Sequence, residues 1–186
     1  LFMKSTIQDK SRLVNSVFTK VYKKYDLMND IMSLGIHRIW KNKLLNWMNP
    51  QLDENLIDVA SGTGDIAKIF SKRNHHLSQI VCVEPNNEMY HIGKSNLKSF
   101  KNIRWCKAKA EKLPFKNDTY DFYTISYGIR NVSNINLSLK EAFRVLKPGG
   151  RFMCLEFSKI DNEIINLLYQ QYSKAIPFIG KYIVGS

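Results

Sequence analysis

The sequence predicts an α/β fold, a mostly parallel sheet with helices on both faces behind an N-terminal helical cap. Two observations carry this reading. After Pro50, short apolar runs bounded by turn residues alternate with stretches of helical periodicity. The first of those runs ends in a glycine-containing turn that opens a helix. Strands alternating with helices imply βαβ units and a parallel sheet. The 186 residues, 44% hydrophobic and 24% charged, suit one globular domain with a cap and exclude a disordered or collagen-like chain. The expected organisation is a cap over 1–50, an α/β core over 51–160 and a C-terminal helix within 161–186.

Residues 1–48 read as helical. Leu13, Val17, Val21, Leu27 and Met28 recur at near-helical spacing, and Ile36, Ile39, Trp40, Leu44 and Trp47 do so again after Gly35. Asn49-Pro50 ends the second stretch, because the residue before a proline is pushed out of the helical region. Leu56 to Ala60 reads as a strand holding one acid, Asp58, and Gly62 to Gly64 as a turn. A helix is expected from Asp65 to about Lys72, a strand from Gln79 to Val83 ending at Glu84, and a helix over 86–99. Ile103 to Cys106 and Tyr120 to Tyr127 are the third and fourth strands, with a helix over 135–146. Pro148-Gly149-Gly150 reads as a turn, Arg151 to Phe157 as the fifth strand and Asp161 to Lys174 as a final helix.

Lys and Arg number 28 against 16 Asp and Glu, a formal charge of +12 that favours anionic partners, either nucleic acid or an acidic membrane surface. Cys82, Cys106 and Cys154 form no C-x-x-C pair, which suits a reducing compartment, and they are expected to be small buried hydrophobes. No cluster with metal-ligand spacing appears, so no metal is expected.

In a parallel open sheet the ligand lies beyond the carboxyl ends of the strands. The first strand leads into Ala60-Ser61-Gly62-Thr63-Gly64-Asp65. Gly62-x-Gly64-x-x-Ala67, with Glu84 twenty residues after Gly64, even satisfies a dinucleotide fingerprint. Charge argues against a dinucleotide. Asp65 in the first turn of the helix and Asp58 in the strand would each oppose a pyrophosphate by on the order of a kcal/mol or more. The same acids suit S-adenosylmethionine, with Asp58 and Asp65 toward its cationic end and Glu84 accepting from both ribose hydroxyls. Asp65 is also placed to cap its helix and favour its dipole. After the third strand, backbone groups of Lys109 and Ala110 are placed to read an adenine edge. After the fourth, Ser126, Tyr127, Arg130 and Asn131 cluster at the mouth of the pocket, where Arg130 can pair with a phenolate or enolate oxygen.

The stretch from Tyr25 to Lys41 (YDLMNDIMSLGIHRIWK) resembles the N-terminal signature of the ubiquinone/menaquinone biosynthesis C-methyltransferases. Asp58–Asp65, Gly128-Ile129-Arg130-Asn131-Val132, Arg144–Phe152 and Leu155-Glu156-Phe157-Ser158 resemble its other signatures, and the likeness runs from about Ser11 to the end. The PGG turn and the G-x-G are shared by many methyltransferases; the N-terminal signature and the GIRN stretch are much narrower. The resemblance implies a Rossmann-like class I methyltransferase fold. It also implies methyl transfer from S-adenosylmethionine to a ring carbon of a polyprenylated benzoquinol or naphthoquinol.

The family's cofactor positions map onto Thr63, Glu84, Lys109-Ala110 and Ser126, beside Gly62 and Gly64. Ser61 stands where Gly is usual, Glu84 where Asp is usual, and Lys109 where Asn or Asp is usual, which leaves only backbone readout of the adenine there. The family also continues past Gly185-Ser186 with a helix and two strands. The fifth strand is therefore expected to be an exposed edge, and this chain to associate and to be less stable than a longer version.

Since a guanidinium holds its proton, Arg130 is expected to stabilise a phenolate or anchor a relaying water. His37 is the titrating candidate, or else an N-terminal helix residue packed against Trp40, and Tyr127 a pocket wall. The basic cap residues Lys20, Lys23, Lys24, Arg38, Lys41 and Lys43 are expected to dock on anionic lipid or simply to be solvated. The expected location is the cytoplasm, peripheral to the inner membrane, for a bacterial chain and the mitochondrial matrix face of the inner membrane for a eukaryotic one. A quinone-biosynthesis complex or a homodimer is a further expected association. The competing readings are a nucleic-acid methyltransferase and a non-catalytic partner in such a complex. The first lacks zinc spacing and the Asn/Asp-Pro-Pro-aromatic tetrad of amino-directed enzymes, so no nucleic-acid partner is expected. The second is motivated by Lys109.

Overall fold

The structure, a computed structural model, describes Ser33 and residues 35–158. The helices expected over 1–32 and from Asp161 to Lys174 lie outside the described residues. In order, the elements are α1 (Ile36–Met48), β1 (Leu56–Val59), α2 (Asp65–Arg73), β2 (Ile80–Val83) and α3 (Asn87–Asn96). These are followed by β3 (Ile103–Cys106), β4 (Tyr120–Ser126), a single 3-10 turn (Ile129–Asn131), α4 (Ile135–Val145) and β5 (Leu146–Leu155). All five strands run parallel in the order β3-β2-β1-β4-β5. β1 is central and fully buried, so the space beyond its end, between β2 and β4, is the switch point where the connections diverge.

Strand alternation divides the interior in two, because successive side chains point to opposite faces. Leu56, Ile80, Cys82 and Phe122 face α1 and α2, packing with Leu44, Leu45, Met48, Ile66 and Phe70. Ile57, Val59, Val83, Tyr123 and Ile125 face the other way, onto Ala142 and Val145 of α4. The described part of the cap therefore shares the core of the sheet.

Three expectations are corrected here. The apolar face of α1 is not the Ile36, Ile39, Trp40, Leu44, Trp47 stripe. The buried residues are His37, Lys41, Leu44, Leu45 and Met48, whereas Ile36, Ile39 and Trp47 are exposed. The helix is set by its far end, where Arg151 of β5 donates to the carbonyls of Trp47 and Met48, and by Lys41, which reaches Asp65.

The fifth strand begins at Leu146, not Arg151. Lys147 to Gly150 form a bulge inside it, between the Tyr120–Leu146 and Phe122–Arg151 pairs. Glycine is needed at position 150, where a Cβ would lie 2.9 Å from the Lys147 carbonyl and 3.1 Å from that of Tyr120. The Lys147 ammonium closes the bulge onto Asp121 at 2.8 Å.

The cysteines are not uniformly buried: Cys82 is, Cys106 is half-buried and Cys154 is exposed. Cys154 lies on β5, which has only β4 beside it among the described residues.

Candidate functional site

Two adjoining clefts open at the carboxyl ends of β1, β2 and β4. The larger, about 830 Å³ and open to solvent, is lined by Gly62, Glu84, Asn86, Lys109, Ala110, Ser126, Tyr127 and Asn131 among others. The smaller, about 370 Å³, is lined by Lys41, Asp58, Ser61, Thr63, Asp65 and Tyr127 among others, and it shares Ala60, Gly62, Ser126 and Tyr127 with the larger.

The backbone is bent sharply where strands enter the clefts. Ala60, Gly62, Gly64 and Tyr127 all have positive φ, at 53°, 56°, 87° and 56°. Such a conformation is costly for Ala and Tyr and is retained where the surroundings over-determine it. The Tyr127 N–H is tied at 2.7 Å to the Leu155 carbonyl. Gly128 lets the ends of β1 and β4 meet, since a Cβ there would lie 2.6 Å from that of Ala60.

Asp58 is 1% exposed, in the middle of an apolar strand. It stands opposite Thr124 in register, and the Thr124 hydroxyl donates to its Oδ1 at 2.7 Å. Its Oδ2 has no partner among the described residues. Burial pushes its pKa up from 3.8 to about 7, against the opposing effects of the Thr124 hydroxyl and the Lys41 ammonium.

Glu84 is also buried. Its Oε2 accepts from the Gly62 N–H and its Oε1 from the Asn86 N–H, both at 2.9 Å. These bonds hold the carboxylate between the glycine turn and the start of α3, and each oxygen keeps a second lone pair for a ligand. Burial raises its pKa as well.

Asp65 does not cap its helix: the N-cap is Gly64, with no side-chain cap bond. Asp65 instead pairs with Lys41, Nζ to Oδ2, at 2.7 Å. Lys41, expected on a basic outer face, is buried in the smaller cleft. The signal that would have found it is a lysine four residues after His37 on the stripe continued by Leu44, Leu45 and Met48.

Lys109 and Ala110 lie on the wall of the larger cleft, and the Lys109 carbonyl accepts from the Lys112 N–H at 3.1 Å. Behind this loop, Arg144 donates to the carbonyls of Phe115 and Leu113 at 2.7 and 3.0 Å, and to Glu141. Glu141 in turn accepts from the Leu113 N–H at 2.7 Å.

Beside the clefts Tyr127 packs tilted against Phe157, ring centroids 4.9 Å apart, and Trp40 meets Phe157 edge-on at 5.9 Å. Arg130 lies over the same Phe157 ring and pairs with Glu156 at 3.1 Å. Burial and the Glu156 carboxylate push the Tyr127 phenol up to about 12, so it stays protonated at neutral pH. Glu156, Phe157 and Trp40 were not singled out from the sequence as site residues. Neither His37 nor Arg130 lines a cleft: His37 is buried on α1 with its Nδ1 2.8 Å from the Ser33 hydroxyl, and Arg130 is exposed beside Tyr127, paired with Glu156.

Five buried side-chain atoms lack a partner among the described residues: Asp58 Oδ2, Ser126 Oγ, Tyr127 OH, Glu156 Oε2 and Asn74 Oδ1. The first three belong to residues that line a cleft. A buried polar atom without a partner is costly, and three such atoms hold hydrogen-bonding capacity at the clefts.

A five-stranded parallel sheet with a glycine turn after β1 and acids at the tips of β1 and β2 defines a Rossmann-like methyltransferase fold. Solved structures agree on that fold. A SAM-dependent methyltransferase from Aquifex aeolicus superposes with a TM-score of 0.60 at 18% identity, over 71% of this chain and 78% of its own. A putative S-adenosyl-L-methionine-dependent methyltransferase from Methanococcus maripaludis does so at 0.61 and 13%, over 98% and 77%. The chain belongs to the ubiE/COQ5 methyltransferase family, whose profile matches residues 4–186. It is 47% identical to the ubiquinone/menaquinone biosynthesis C-methyltransferase UbiE of Rickettsia bellii over all of this chain and 77% of that protein. With the protein of the same name from Rickettsia prowazekii the identity is 46%, over the same shares.

Proposed function

We propose that this chain binds S-adenosylmethionine and methylates a ring carbon of a polyprenylated benzoquinol or naphthoquinol, the C-methylation of ubiquinone/menaquinone biosynthesis. The observation that carries the reading is the unpartnered Asp58 Oδ2, Ser126 Oγ and Tyr127 OH around one pair of clefts, with Glu84 fixed at the larger. Residue by residue this fits the donor. Glu84 offers lone pairs to both ribose hydroxyls. Backbone groups of Lys109 and Ala110 face the adenine edge, and Asp58 and Asp65 face the cationic end. Gly62 lines both clefts, while Gly64 supplies the left-handed turn and leaves its missing Cβ's space to Leu97 and Trp105. When bound, S-adenosylmethionine supplies a methyl group activated by a sulfonium.

A hydroquinone carbon attacks well only after the adjacent hydroxyl has lost its proton. Arg130 keeps its own proton and stabilises the phenolate or holds the water that relays the proton. Glu156 and Phe157 fix where the guanidinium sits. Tyr127, protonated, serves as a wall and a hydrogen-bond donor. His37 has no role in this reading. Holding the ring in line with the methyl removes much of the entropic barrier.

No described helix is long and apolar enough to cross a membrane. Ile39 and Trp47, 57% and 75% exposed, flank Lys43 on the outer side of α1 and support peripheral docking on anionic lipid, where such quinols reside. Cosedimentation with anionic vesicles and not with neutral ones checks this. The function itself is tested by mass spectrometry of a demethylated quinol pool incubated with the protein and isotopically labelled donor. One labelled methyl on the ring is expected; an unlabelled quinol fraction overturns the reading.

A further inference from the structure

The smaller cleft holds three ionisable side chains, and the donor reading uses only two of them. Asp58 and Asp65 account for an ammonium. An α-amino acid end, however, also carries a carboxylate, which two acids alone would repel. The third charge is Lys41. It comes from α1, outside the sheet, and is 8% exposed on a stripe otherwise continued by leucine and methionine. Burying an ammonium there is unfavourable unless a partner compensates it. Asp65 at 2.7 Å is one partner, yet its side chain is 42% exposed and has water available, so the pair is not needed to satisfy the aspartate. Asp58 Oδ2, in the same cleft, is buried and has no partner among the described residues. Two acids and one base around one cavity, with acceptor capacity left over, form the electrostatic complement of a zwitterion.

We propose that Lys41 is the carboxylate-recognising residue of the donor site: its ammonium takes the α-carboxylate of the donor, while Asp58 and Asp65 face the α-ammonium. The assignment rests on the donor reading above. It makes α1 part of the binding site and gives a reason for a lysine on its inner face. It also predicts that the site discriminates among adenosyl compounds by the charge pattern of their tails.

Calorimetry on the full chain tests this with three ligands: S-adenosylhomocysteine, its decarboxylated analogue, and methylthioadenosine, which lacks the amino acid end. The wild type is expected to prefer S-adenosylhomocysteine over the decarboxylated analogue by about tenfold or more, the scale of one charge-assisted bond. Lys41→Met and Lys41→Gln should lose most of that preference while binding methylthioadenosine as the wild type does, and Lys41→Arg should keep it. No preference in the wild type, or a preference retained in either uncharged variant, overturns the assignment and leaves the donor reading standing. Binding of none of the three by the wild type overturns the donor reading and the assignment with it.

Discussion

The tips of β1, β2 and β4 and the loop behind β3 lie side by side and handle polar groups in opposite ways. At the tips, Asp58, Ser126 and Tyr127 each leave a buried atom unpaired, and Ala60 and Tyr127 adopt the left-handed backbone. In the loop, Arg144 and Glu141 take up the backbone groups of Leu113 and Phe115, and no buried side-chain atom there is unpaired among the described residues. The contrast separates a region folded to receive something from one folded to hold a wall still. Unmet hydrogen-bonding capacity is tolerated where a ligand supplies the missing partner.

Substitutions on the two sides should therefore fail differently. The largest effect is expected at Arg130. Arg130→Ala should lower turnover by roughly 10²- to 10³-fold, as loss of a charge-stabilising group does, while S-adenosylhomocysteine affinity by calorimetry stays close to wild type. Unchanged turnover would take Arg130 out of the mechanism.

Glu84→Ala should weaken S-adenosylhomocysteine binding by roughly 10²-fold, because two bonds to a charged acceptor are lost. It also frees the Gly62 and Asn86 N–H groups, so some loss of stability accompanies it. Normal affinity would mean that the ribose lies elsewhere.

On the wall side, Arg144→Ala should cost stability, about 2 kcal/mol for the part-buried carbonyls of Leu113 and Phe115 left unpaired. It should show as a lower denaturant midpoint with an unchanged slope. Donor affinity at saturating folded protein should change by less than about tenfold. A large loss of affinity without loss of stability would erase the contrast.

A pH dependence gives a further test. Asp58 has its pKa raised from 3.8 to about 7 in the folded protein, so between those values the folded state holds a proton that the unfolded state has released. Stability then falls as pH rises through that window, by up to about 1.4 kcal/mol per unit. Asp58→Asn should remove that slope. Donor affinity in the wild type should rise as pH passes about 7 and Asp58 ionises, and stay flat in the variant, as read by titration across that range. An identical slope in both proteins would mean that Asp58 is ionised throughout.

Much of the site was legible before any coordinates. Glu84, Ser126 and Tyr127 stand at the ends of their strands, Asp58 one residue before the end of β1 and Lys109 and Ala110 in the loop after β3, where the topology of an open parallel sheet puts a ligand. Lys41 was not legible in that way. A lysine on a helix reads as surface, and only its partner 24 residues away shows otherwise. The PGG segment read as a turn because its composition is that of a turn. Pairing with β4 made it a bulge instead.

The order of strands and helices, the glycine turn and the acids that follow the strands came from the sequence alone, because periodicity and turn chemistry act over a few neighbouring residues. Tertiary structure decided which face of α1 turns inward, which oxygen of Asp58 the Thr124 hydroxyl satisfies across 66 residues of chain, and where Lys41 finds its partner. Those outcomes depend on groups brought together only by packing, and a linear pattern carries no record of which distant partner will be in reach.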